Sequence, residues 1–247
     1  MNRNFSHPYI KALFHAMVAE QNDWNKIKKA LKDNCDIDEL IQLENKYDRA
    51  YIIKNEDEII ISISGTKSAE GWASNLQAWP NNGWHYGFDK GFQKLLSHPV
   101  VFECRGFKGK VWIFGHSRGS ALALRTNYFI RSFLKMNCES ITYCGPTAVD
   151  KSGKAQCKKK HVCNTTLNID PRDPVDDVGK LVGGVEYGYI VNMPDDGSPD
   201  IHKLWIIDNM FYGHAPSYVC RCLLKLFHSW GKPCDEEIND IKKYAIR

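Results

Sequence analysis

Long apolar runs are missing from this 247-residue sequence: counting Ala, Val, Ile, Leu, Met, Phe, Trp, Tyr and Cys, none exceeds four residues. A membrane-spanning helix needs on the order of 20, so no transmembrane segment is expected. One-sided charge is missing too. Lys and Arg number 33 against 29 Asp and Glu, a net +4, which neither demands nor forbids an anionic partner. No nucleic-acid partner is expected. With 18 glycines and 10 prolines, the chain has too little of either for a collagen-like or low-complexity protein. Its nine cysteines are an odd number scattered from Cys35 to Cys234. That is not the paired framework of a small secreted domain, and they read as mostly free thiols. The opening MNRNFSHPYIKALFHAMVAEQND lacks the compact apolar segment and small-residue cleavage site of a secretory leader. A cytoplasmic location is expected, although leaderless export leaves no trace in residue order.

What remains is ordinary globular material, 43% hydrophobic and 25% charged, of a length that suits a single domain over residues 1–247. Apolar positions at helical spacing (Ile10, Leu13, Phe14, Met17, Val18, then Ile27 and Leu31) predict two or three amphipathic helices between about Tyr9 and Glu44. Asp23 supplies an N-cap at the break. Two β-rich runs, Ala50–Ile53 and Ile59–Ile63, flank a polar tetrapeptide as in a hairpin. Residues 66–90 read as a loop with at most one short helix near Ala69–Gln77, and a helical stretch follows at Gly91–Ser97. Strands are then expected at Val111–Phe114, Ile141–Cys144 and Val162–Ile169, with a helix from Arg118 to Lys135. The basic segment 154–160 is assigned to a loop, as are residues 170–178. A hairpin of Gly188–Met193 with Leu204–Ile207 and a helix from Ala215 to Trp230 come last, and the charge-dense tail from Lys232 is expected to be peripheral. Strands alternating with helices imply an α/β sheet.

The strongest chemical signal is Gly115-His116-Ser117-Arg118-Gly119 between the apolar run Val111–Phe114 and a helix rich in small residues. A G-x-S-x-G in that setting puts the serine on a sharp strained turn, and its glycines let strand and helix approach. Ser117 is the candidate nucleophile. The backbone N–H of Arg118, at the helix N-terminus, faces a developing oxyanion.

GHSRGSALA, preceded by ISGTKSAEGWASNL and followed by NIDPRDPVDDV, resembles the class 3 (fungal-type triacylglycerol) lipases of the α/β-hydrolase superfamily, from about Tyr47 to Leu226. The resemblance implies an α/β-hydrolase fold: a mostly parallel central sheet flanked by helices, with N-terminal helices and a short lid segment. It assigns the oxyanion hydroxyl to Thr66 of the Gly65-Thr66 step, where Ser64 replaces the family's usual Arg. It makes the segment after Thr66 a lid whose apolar face is Trp72, Leu76 and Trp79; the alternative is that these tryptophans pack in the core. Lys90-Gly91-Phe92 resembles a packing element of the family. A nucleophilic serine needs an imidazole base and a carboxylate to orient it, in the chain order Ser, Asp, His. Asp173 in the Arg-Asp-x-Val element matches the acid, with Asp170 and Asp176 as rivals. His214 in Gly213-His214-Ala215 matches the base; His202 comes early, and His116 reads as structural.

The implied activity is hydrolysis of acyl esters of lipids through Ser117, His214 and Asp173, with an acyl lipid or ester as substrate and peripheral contact with a lipid interface. A phospholipase or a small-ester carboxylesterase is the alternative within this chemistry. A catalytically silent binding protein on the same fold is the alternative outside it. No cofactor or metal is expected. Cys157, His161 and Cys163 lie close in sequence, but a zinc site needs a fourth partner, and Cys220 and Cys222 are distant. Lys158–Lys160 reads as a solvated loop, with an anionic phospholipid surface as the alternative.

Overall fold

The computed structural model of the chain describes residues 5–66, 79–169, 180, 183–193, 216–232 and 234–244. Helix α1 (Pro8–Ala19) carries proline in its first turn, and the His7 side chain caps it by accepting from the Tyr9 N–H. Helix α2 (Trp24–Asn34) starts on the expected cap, Asp23, which accepts from the Asn25 N–H at 2.8 Å. The expected third helix is a strand instead. Strand β1 (Glu39–Glu44) pairs antiparallel with β2 (Arg49–Lys54) at the sheet edge. Its apolar Leu40, Ile41 and Leu43 have too little helical periodicity to bury one face, whereas β2 offers a ladder.

Strand β3 (Glu58–Ile63) closes the hairpin with β2, where Asn55 Oδ1 accepts from the Asp57 and Glu58 N–H groups in the turn. A small ladder of β4 (Pro80–Asn81) and β5 (Trp84–His85) follows. Helices α3 (Tyr86–Leu95) and α4 (Ser97–Cys104) come next, so helix begins at Tyr86, earlier than the loop to residue 90 had allowed. Strand β6 (Lys110–His116) leads through Ser117 into α5 (Arg118–Phe129), which continues as a π-helical turn, Ile130–Leu134, and ends at Lys135 in the left-handed conformation. Strand β7 (Cys138–Tyr143) precedes α6 (Lys151–Lys159). The basic segment is therefore helical, capped by Asp150, which accepts from the Ser152 and Gly153 N–H groups. Its Lys158 and Lys159 end the helix just before β8 (Cys163–Ile169), at the end of the sheet away from Ser117.

Strand β9 (Tyr189–Met193) pairs with β8, and the sheet order is β1-β2-β3-β6-β7-β8-β9, parallel from β3 onward. The expected hairpin partner Leu204–Ile207 and the 170–178 loop lie outside the described residues. Helices α7 (Pro216–Ser229) and α8 (Asp235–Ile241) follow, and a 3-10 turn at Lys242–Tyr244 is the last described element. The tail is not peripheral: Ile238 and Ile241 of α8 are fully buried, and three-residue spacing puts both on one face.

Alternation along the strands divides the core in two. Ile60, Trp112, Phe114 and Tyr143 face α1, α2, α7 and α8. Ile59, Ile61, Ile63, Val111 and Ile113 face α3, α4, α5 and α6. Helix α1 lies along β3 and is tied to it twice: Lys11 Nζ donates to both carboxylate oxygens of Glu58 at 2.5 and 2.6 Å, and Ser62 Oγ donates to the His15 carbonyl at 2.9 Å. Among the described residues, no helix is long and apolar enough to cross a membrane.

Candidate active site

Ser117 stands between β6 and α5 with φ 56° and ψ −128°, a backbone region that L side chains rarely occupy and that strains the turn. Its N–H donates to the Tyr143 carbonyl at 2.9 Å, and its own carbonyl accepts from the Ser120 N–H at 2.8 Å. The flanking glycines are required by backbone contact. A Cβ on Gly115 would come within 2.4 Å of the Gly119 carbonyl oxygen, and one on Gly119 within 2.3 Å of the Ile63 carbonyl oxygen. Strand β6, helix α5 and the end of β3 thus meet without an intervening side chain.

The end of β3 runs on into Ser64, Gly65 and Thr66. A Cβ on Gly65 would lie 3.1 Å from the Ser117 Cβ, so Gly65 is in contact with the serine. Behind it is a buried carboxylate: Glu20, the C-cap of α1, accepts from the Gly65 N–H at 2.5 Å, and the same oxygen lies 3.1 Å from His116 Nδ1. Ser64 N–H and Oγ both donate to the Arg49 carbonyl.

Arg118 is buried to 2% exposure. Its Nε donates to Asp48 Oδ1 at 2.6 Å, and Nη2 reaches Asp48 Oδ2 at 3.4 Å and the Gly87 carbonyl at 3.3 Å. A Cβ on Gly91 would come within 2.7 Å of the same Nη2, so the glycine of Lys90-Gly91-Phe92 lets α3 pack close against the Arg118 side chain.

No family model and no curated protein matches the sequence. Solved structures do. The native Rhizomucor miehei lipase–propeptide complex aligns over 78% of this chain and 70% of its own, with TM-score 0.63 and 16% identity. A triacylglycerol lipase whose catalytic centre is formed by a serine protease triad aligns over 76% of this chain and 77% of its own, with TM-score 0.56 and 18% identity. M37 lipase aligns over 97% of this chain and 99% of its own, with TM-score 0.57 and 15% identity. The chain has the α/β-hydrolase fold of the lipases. Ser117 occupies the strand-to-helix turn between β6 and α5 of that fold.

On this α/β-hydrolase frame the structure brings Ser117, Arg118 and Gly65, the residue before Thr66, together. Asp173, His214, Trp72 and Leu76 lie outside the described residues, as do Asp170, Asp176 and His202. Trp79 is 66% exposed and takes no part in the core. His116 is buried against Glu20. The three residues of the zinc alternative are separated: Cys157 is buried in the α6 face of the core, where burial pushes its thiol up to about 12, while His161 and Cys163 are exposed. Among the described residues no group of three or more His, Cys, Asp or Glu could hold a metal. A cavity of about 270 Å³ lined by Lys11, Cys35, Glu58 and Trp112 lies where β3 and β6 begin, at the end of the sheet away from Ser117.

Glu20 and Asp48 are absent from the sequence reading of the site. Neither stands near a motif, and each meets its partner across a long stretch of chain. The one available signal was Arg118 itself, a charge beside a candidate nucleophile that a packed elbow could not leave unpaired.

Proposed function

We propose that this chain is a serine ester hydrolase acting on acyl lipids. Ser117 Oγ attacks the ester carbonyl carbon while His214 takes its proton, and Asp173 holds the imidazole in the required tautomer. The oxyanion is held by Thr66 and the Arg118 N–H. Collapse breaks the carbon–oxygen bond, and the leaving alcohol takes the proton from His214. Water, deprotonated by His214, then attacks the acyl-Ser117 ester, and as the fatty acid leaves His214 returns that proton to Ser117 Oγ, restoring the serine. The segment carrying Trp72, Leu76 and Trp79 is the lid through which the enzyme meets a lipid interface.

The observation that carries this reading is the strained backbone of Ser117, φ 56° on a strand-to-helix turn and in contact with Gly65. Strain of this kind persists where surrounding structure enforces it, and it clusters at reactive centres. The similar triacylglycerol lipase with a serine triad supports the same chemistry. A fluorophosphonate probe tests it: adduct at Ser117 in the wild type and none in Ser117→Ala is expected. A folded wild type that stays unlabelled would return the chain to the silent-binding alternative. Lipase and small-ester carboxylesterase are separated by substrate: a rate jump when ester passes into micelles favours the lidded lipase, and a flat hyperbolic response to soluble esters favours the esterase.

A further inference from the structure

We infer that Glu20 is a positioning residue for the oxyanion step, holding the Gly65-Thr66 backbone against Ser117 from behind. This rests on the serine hydrolase reading and adds to it the C-cap residue of helix α1. One carboxylate oxygen accepts from the Gly65 N–H at 2.5 Å and stands 3.1 Å from His116 Nδ1. It therefore joins the two peptide segments that flank the serine: the end of β3 and the residue before the nucleophile. The contact decides which donors face the substrate. With its N–H committed to Glu20, Gly65 cannot turn that group toward an oxyanion, which leaves the role to Thr66 and the Arg118 amide.

The carboxylate is itself held firmly. Helix α1 is buried on nearly every side and is tied to β3 through Lys11 with Glu58 and His15 with Ser62, and the Tyr143 hydroxyl donates to the Tyr9 carbonyl at 2.5 Å. Glu20 sits at the end of that helix, 7% exposed. Ser64 Oγ donates to the Arg49 and Gly65 carbonyls. A charged acceptor makes a hydrogen bond roughly twice as strong as a neutral one, and a shift of about 1 Å in a catalytic group costs on the order of 100-fold in rate.

The experiment compares wild type, Glu20→Gln and Glu20→Ala in the full chain. Its readouts are the phosphonylation rate of Ser117 by a fluorophosphonate, and kcat and KM on p-nitrophenyl acetate. Glutamine keeps an acceptor for the Gly65 N–H but loses the charge. The expected order is a loss of about threefold to tenfold in kcat and labelling rate for Glu20→Gln, and of roughly 10-fold to 100-fold for Glu20→Ala, with KM within about twofold in both. Equal rates in wild type and Glu20→Ala overturn the inference while leaving the serine hydrolase reading intact. If the alanine variant fails to fold, Glu20→Gln decides: an unchanged kcat makes Glu20 a folding residue only, and a lowered kcat at constant KM supports positioning. An unlabelled wild type instead overturns the underlying reading, which separates the two failures.

Discussion

The Arg118 guanidinium donates to Asp48, Nε to Oδ1 at 2.6 Å, with the two side chains 1% and 5% exposed. A charge next to the candidate nucleophile is thereby spent on joining α5 to the turn before β2. The residue proposed to offer its amide to the substrate is locked through its own side chain.

Removing one partner of a buried pair strands the other, at a cost of about 3–5 kcal/mol. Arg118→Met is expected to destabilise the fold by that amount in urea unfolding. The double change Arg118→Met with Asp48→Leu should recover most of the loss, because an apolar pair leaves no buried charge behind.

Gly119→Ala should be among the most damaging small substitutions in the chain. Its Cβ would meet the Ile63 carbonyl oxygen at 2.3 Å and that of Ser64 at 2.7 Å, both backbone atoms of the central sheet that cannot swing aside. Overpacking of this kind costs about 1–3 kcal/mol and occasionally more. Chemical denaturation is expected to show a loss at or above the upper figure, together with lost ester turnover because β3 and α5 move apart at Ser117.

His15 gives the fold a pH dependence. It is fully buried, stacked on Phe114, and its Nδ1 lies 2.8 Å from the Tyr51 hydroxyl; burial, aided by Lys11, holds its pKa well below the ordinary value. The unfolded chain therefore binds a proton near pH 6.5 that the folded chain refuses. This contribution to stability is fully present above about pH 6.5 and is lost as pH falls toward the folded-state value, by at most about 1.4 kcal/mol per pH unit. Urea midpoints at pH 7 and pH 5 should differ more in wild type than in His15→Gln. Equal differences would contradict the assignment.

Ser117→Gly should raise stability while removing the proposed nucleophile. Glycine adopts a positive φ at no steric cost, and strained residues of this kind cost on the order of 1–3 kcal/mol. Thermal unfolding is expected to place Ser117→Gly above Ser117→Ala, which keeps a Cβ and hence the strain.

Local signals carried most of the fold. Asp23 announces α2 by its own hydrogen bond to the next turn, and the alternation at Ile59–Ile63 and Val111–Phe114 needs only the strands themselves. Long-range pairing accounts for the errors. β1 is a strand because β2 lies beside it, and α8 belongs to the core because α1 receives Ile238 and Ile241. In α6 the lysines masked a legible start, Asp150 capping Ser152 and Gly153. At the site, the elbow was legible because strain, glycines and helix start occupy five consecutive residues. Glu20 was not, since it stands 96 residues from His116 and 45 from Gly65, and only the folded sheet brings them together.

The central claim is tested most directly by the hydrolysis of p-nitrophenyl esters, short to long acyl, by wild type and Ser117→Ala in parallel, each in monomeric and micellar form. The account predicts turnover by the wild type and a fall of about 1,000-fold or more in the variant at every chain length. A folded Ser117→Ala protein that hydrolyses these esters at the wild-type rate would contradict it.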